Sequence, residues 1–211
     1  MAAVQYPGRQ DRRFEPHVRS ITELADAIFD AVRPLAGRPL AFFGHSMGAI
    51  LAYEVAVRLE AVGVDPLTRL YVSGRRAPSC RREESLHRQG DQALIAELAQ
   101  LSGTSSGLLT DPEALAMILP AIKSDYQAIG TYRPSDARPL RAPVTAIVGA
   151  EDSRVTVEEA DAWRRHSGSS FNLRVLPGGH FYLIDHSRDV IRLIAEDLAL
   201  HGARPPGDVL R

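Results

Sequence analysis

Leu40-Ala41-Phe42-Phe43-Gly44-His45-Ser46-Met47-Gly48 is the stretch on which the reading of this chain turns. Four apolar residues, entered from Pro39, run into a glycine-flanked serine. A long helical pattern from Met47 to Val62 follows, stopped by Gly63. Strand, G-x-S-x-G, helix is the context in which this pattern holds a nucleophilic serine. The turn is so tight that the serine takes strained backbone angles, and the flanking glycines relieve contacts between strand and helix. The serine oxygen then stands at a helix N-terminus, where free N–H groups and the dipole favour developing negative charge. A chance glycine-rich turn would carry no such flanks. Ser46 is therefore the candidate nucleophile, and the Met47 N–H a candidate donor to an oxyanion.

Outward from this stretch, short apolar runs alternate with longer helical patterns, the signature of a parallel sheet with helices on its faces. Strands are expected at Ala3–Tyr6, Leu40–Phe43, Leu70–Ser73, Pro143–Val148 and Phe171–Leu176. Ser20 and Glu23 form a capping-box pattern before Ile21, Leu24, Ile28, Val32 and Leu35, which repeat at helical spacing. Thr156 with Glu159 is expected to cap a helix through Trp163, and a closing helix runs from about Ser187 to Leu200. Residues 75–139 break the alternation. They begin polar and then hold two helical patterns, one over Asp91–Leu101 and one opening at Asp111-Pro112-Glu113. Pro120 is expected to kink or split the second. The division is a core of residues 1–74 and 140–202, a helical lid at 75–139, and a loose tail at 203–211.

Composition narrows the function. With 211 residues, 45% hydrophobic and 24% charged, the chain has enough material for one sizeable core. A net charge of −1 offers no overall field for nucleic acid or an anionic membrane. Cys80 is the one cysteine, so an internal disulfide and a Cys-rich metal site are excluded, which fits a reducing cytoplasm. No signal peptide and no membrane-crossing apolar run are visible.

A serine nucleophile needs a base, and the base an orienting acid. In the α/β-hydrolase order these follow as Ser, Asp or Glu, then His. Gly149-Ala150-Glu151-Asp152 lies at the C-terminal end of a strand, where such sheets gather active-site groups. Glu151 and Asp152 both qualify by charge, and a solvated acidic turn would look the same. Asp152 is the preferred acid. Pro177-Gly178-Gly179-His180 follows the last strand in the same way, its glycines letting a loop approach other backbone. A lone histidine is more often structural, and His186 lies close by, near the start of the closing helix. His180 is the preferred base.

Beyond these positions the chain resembles the type II thioesterases of polyketide and nonribosomal peptide synthesis. Val4-Gln5-Tyr6-Pro7-Gly8-Arg9, the Gly-His-Ser-Met-Gly elbow, Ser73-Gly74-Arg75-Arg76-Ala77-Pro78 and Gly179-His180-Phe181 look like successive landmarks of that family. The resemblance implies an α/β-hydrolase fold and removal of acyl groups from the phosphopantetheine thiol of an acyl or peptidyl carrier protein. It carries Ser46, Asp152 and His180 over as nucleophile, acid and base, and calls for no metal or cofactor. Leu94, Ile95, Leu98, Leu115, Ile118, Leu119 and Ile122 are candidates to line an acyl chamber, most of them serving ordinary lid packing. A small-ester carboxylesterase and a carrier-binding remnant without catalysis are the rival expectations.

One departure accompanies the resemblance. Family members begin with a further strand and a Gly-Gly loop that supplies half of the oxyanion hole. Here a segment of about 30 residues, roughly one supersecondary unit, is expected to be absent. The expected consequences are three options for the Ala3–Tyr6 strand (pairing with the serine strand, drifting loose or leaving a gap) and a weak or inactive hydrolase.

Overall fold

The computed structural model describes residues 1–65, 67–102, 111–134 and 138–202. Four strands, β1 (Ala41–His45), β2 (Arg69–Ser73), β3 (Val144–Gly149) and β4 (Phe171–Leu176), form one parallel sheet in the order β1-β2-β3-β4. The helices are α1 (Ile21–Val32), α2 (Met47–Ala61), α3 (Asp91–Ser102), α4 (Pro112–Thr131), α5 (Val157–Asp161), α6 (Tyr182–Asp185) and α7 (Ser187–Gly202). This is the α/β architecture that the alternating pattern predicts.

The central strands β2 and β3 are buried along their whole length, as expected where helices cover both faces. On one face Leu70, Val72, Val144 and Ala146 pack with Ile21, Leu24, Ile50 and Leu59 of α1 and α2, and with Trp163. On the other, Ile147 packs with Tyr182 and Val190 of α6 and α7. The two-residue period of a strand explains the division of β2. Leu70 and Val72 join the first face. Arg69 and Tyr71 instead meet Asp197 of α7, at 2.7 Å from Arg69 Nε and 2.9 Å from Tyr71 Oη.

Caps set the helix starts. The Ser20 hydroxyl accepts the Glu23 N–H, and Asp111 accepts from Glu113 and Ala114. Thr156 and Glu159 complete a reciprocal capping box.

Two expectations are corrected, and one of the two alternatives for Pro120 is excluded. Ala3–Tyr6 is in no strand; the Gln5 carbonyl accepts from the Arg12 guanidinium, and the Tyr6 side chain packs against the core. Pro120 does not split its helix, because α4 continues through it to Thr131. Proline removes the hydrogen bond to the carbonyl four residues back. That residue, Ala116, is exposed, so water can take the place of the lost donor. The helix capped by Thr156 ends at Asp161, and Trp163 lies in a tighter 3-10 segment over Ala162–His166. The expected tail at 203–211 lies outside the described residues. Among the described residues no helix is long and apolar enough to cross a membrane.

Candidate active site

The elbow has the backbone its residues predict. Ser46 sits at φ 54° and ψ −120°, a conformation that costs an L-residue about 1–3 kcal/mol. The surrounding structure holds it there: its N–H donates to the Ser73 carbonyl at 2.8 Å, and its own carbonyl accepts from Ala49 at 3.0 Å. A Cβ on Gly44 would lie 2.1 Å from the Gly48 carbonyl oxygen, so only glycine lets strand and helix approach this closely. Gly48 differs from expectation. A Cβ there would meet the Tyr6 hydroxyl at 3.8 Å and nothing closer, an ordinary contact. Met47 is the first residue of α2, so its N–H has no acceptor within the helix and is free for an incoming anion.

Parallel strands bring the other two candidates to the same end of the sheet. Asp152 follows β3 and His180 follows β4. Gly149 makes their approach possible, since a Cβ there would lie 2.3 Å from the Gly178 oxygen and 2.4 Å from that of Gly179. The Glu151 N–H donates to the Gly178 carbonyl at 3.0 Å, and the Glu151 carboxylate accepts from the Gly178 N–H. Glu151 therefore braces the histidine loop and does not orient the ring.

The three side chains converge. His180 Nε2 lies 3.2 Å from Ser46 Oγ, and His180 Nδ1 lies 2.9 Å from Asp152 Oδ2. The Asp152 side chain is wholly buried, and Oδ1 also accepts the Arg154 N–H at 2.8 Å. The carboxylate is thus fixed from two sides and can keep the imidazole in one tautomer, Nδ1–H toward Asp152 and Nε2 toward the serine. His186 instead faces Asp189 at 3.3 Å.

Beside the array stands His45, its ring centroid 5.0 Å from that of His180. Burial, and secondarily the neighbouring His180, push its pKa down to about 4, so it is neutral near pH 7. Its position next to the serine gave no sequence signal for this contact.

The site opens into a cavity of about 1400 Å³ that Ser46, Met47 and His180 line. Of the seven nominated apolar residues, Leu98 and Ile122 reach it, while Leu94 is buried. Leu101, Tyr126 and Ile129 also line it and were missed. Helical spacing marks an apolar face without saying whether a neighbouring side chain or a cavity covers it.

Fold and site together define an α/β-hydrolase-fold protein with a Ser-His-Asp array at the C-terminal end of its parallel sheet. The thioesterase-domain family matches residues 1–198, and the chain belongs to that family of hydrolases acting on thioesters. Over 97% of its length it is 48% identical to a probable cadicidin biosynthesis thioesterase of Streptomyces griseus, spanning 56% of that relative. It is 44% identical to the thioesterase PikA5 of Streptomyces venezuelae, with 99% of this chain and 75% of that one covered. Among solved structures it is similar to the type II thioesterase BorB from the borrelidin biosynthetic cluster. That similarity has a TM-score of 0.86 and 46% identity, covering 93% of this chain and 80% of the other.

Proposed function

We propose that this chain hydrolyses acyl groups from phosphopantetheine thioesters on acyl or peptidyl carrier proteins, clearing stalled or wrong units during polyketide or nonribosomal peptide synthesis. The observation that carries the reading is the Asp152–His180–Ser46 array opening into a large, mainly apolar cavity. His180, oriented by Asp152, takes the Ser46 proton as Oγ attacks the thioester carbonyl. The Met47 N–H donates to the oxyanion, and the pantetheine sulfur leaves with the proton from His180. Water, deprotonated by His180, then attacks the acyl-serine and releases the carboxylic acid. The array needs no metal for these steps.

Residues 75–139 serve as the lid of this chamber over a core of 1–74 and 140–202. Support comes from Leu98, Leu101, Ile122, Tyr126 and Ile129, which come from this insert and share the cavity with Ser46. The chain works in the cytoplasm, where carrier-bound intermediates are made.

The test is turnover of an acyl-pantetheine thioester and of a simple ester of the same acyl group, with Ser46→Ala as control. Preferential thioester hydrolysis that vanishes in the variant supports the reading. Preference for the simple ester makes the chain a carboxylesterase. Failure of the native chain to take up a serine-reactive phosphonate makes it a non-catalytic binder.

A further inference from the structure

A buried polar chain runs beneath the Ser-His-Asp array. The Ser73 hydroxyl lies 2.8 Å from His45 Nδ1 and 2.7 Å from Tyr182 Oη. The three residues belong to three different parts of the site. His45 ends β1 and directly precedes Ser46. Ser73 ends β2, and its carbonyl accepts the Ser46 N–H at 2.8 Å. Tyr182 opens α6, two residues beyond His180. Ser73 thus holds the serine through its main chain and, through its side chain, joins the serine's neighbour to the histidine's loop.

The surroundings make this connection stiff. Ser73 and Tyr182 are at most 1% exposed, so a broken link would leave a polar group with no water to replace it. Gly74 provides the room for the His45 imidazole, since a Cβ there would lie 2.5 Å from His45 Cε1. Every member is uncharged near neutral pH. Burial lowers the His45 pKa to about 4 and raises the Tyr182 pKa to about 12. The histidine loop needs such an anchor, because it contains Gly178 at φ 103° and leads into a helix of only four residues.

We infer that His45, Ser73 and Tyr182 form a positioning network that sets the distance between Ser46 Oγ and His180 Nε2. The inference rests on the roles given above to Ser46 and His180. The three residues are assigned no step of the reaction and act through those two. A small misplacement of reacting groups is costly, on the order of 10²-fold for 1 Å.

Ser73→Ala, Tyr182→Phe, the double variant and Ser73→Thr are compared with the native chain on an acyl-pantetheine thioester. Ser73→Ala and Tyr182→Phe should each lower kcat about tenfold with KM little changed, and should slow phosphonate labelling of Ser46 in parallel. The double variant should lose no more than Ser73→Ala, because one break already interrupts the chain. Ser73→Thr keeps the hydroxyl and should recover most of the rate. Tyr182→Phe removes one oxygen and guards against a variant that fails to fold. A lowered melting temperature with unchanged kcat in the folded Tyr182→Phe protein would mean that the network only stabilises the fold, and would overturn the inference. So would additive losses in the double variant. Undiminished turnover by Ser46→Ala would instead overturn the catalytic reading on which the network depends.

Discussion

The sheet with its flanking helix α2 and the pair α3 and α4 are held by different sets of contacts. Helix α2 alone buries Ala49, Ile50, Leu51, Tyr53, Val55, Ala56 and Leu59 against the sheet and its neighbours. Helix α4 is longer, yet its buried residues are Ser124 and Ala128. Besides the buried Ala77, Leu94 and Ala128, ion pairs hold this part of the molecule. Arg75 and Arg76 both grip Glu84, Lys123 of α4 meets Asp91 of α3 at 2.7 Å, and Glu97 of α3 meets Arg154 at 2.7 Å. Arg9 pairs with Asp125 and donates to the Ala121 carbonyl, joining the N-terminal segment to α4. Apolar packing is close-fitting and collective, so the strand ends carrying Ser46, Asp152 and His180 form one rigid frame. Ion pairs can open singly and are screened by salt, so the contacts of α3 and α4 are expected to yield before that frame does.

The largest expected effect lies in the frame and concerns chemistry alone. Ser46→Ala should cut acyl transfer by at least about 10³-fold while leaving the melting temperature nearly unchanged. A large fall in melting temperature would mean that the serine also holds the frame together.

Next comes a stability effect confined to the insert. Glu84 is one carboxylate shared by two guanidiniums, and all three side chains are about nine-tenths buried. Glu84→Ala should destabilise by about 3–5 kcal/mol, since it strands buried charge. Hydrogen exchange should quicken over α3 and α4 more than over β2 and β3. Equal quickening in both would erase the distinction between the frame and these two helices.

A pH effect of comparable size belongs to the frame. His45 has its folded pKa depressed to about 4, below the 6.5 of a free imidazole, mainly by burial. Between those values the unfolded chain binds a proton that the folded chain does not, so stability is present above about pH 6.5 and falls toward pH 4. The full loss is roughly 3 kcal/mol. His45→Gln should flatten denaturation midpoints measured across this window, and an unchanged slope would mean that the imidazole is not what titrates.

The smallest effect is at the rim. Arg82 is about half exposed where it meets Glu159. Arg82→Ala should cost less than about 1 kcal/mol, and 0.5 M salt should remove most of the difference. A larger, salt-resistant loss would show that the rim of the insert is packed like the core.

Local residue order decided much of this protein. Strand, elbow and helix around Ser46 follow from apolar periodicity and Gly44. The starts of α1, α4 and α5 follow from Ser20, Asp111 and Thr156, because a cap satisfies N–H groups only two or three residues away. The acid and base could be nominated because each follows a strand, and parallel strands deliver their C-terminal ends to one edge. Where pairing or covering depends on distant chain, the sequence was silent or misleading. Ala3–Tyr6 has strand composition, but a strand exists only where another offers it a ladder. Pro120 leaves α4 continuous, and the carbonyl it frees lies on the exposed Ala116. Glu151 and Asp152 are equivalent as acids along the chain; the closeness of Gly149 to Gly178 and Gly179 turned one toward His180 and the other toward the loop backbone. The link from His45 through Ser73 to Tyr182 spans 28 and then 109 residues of chain. Hydroxyls and imidazoles carry no periodic signature, so only tertiary packing could bring these three together.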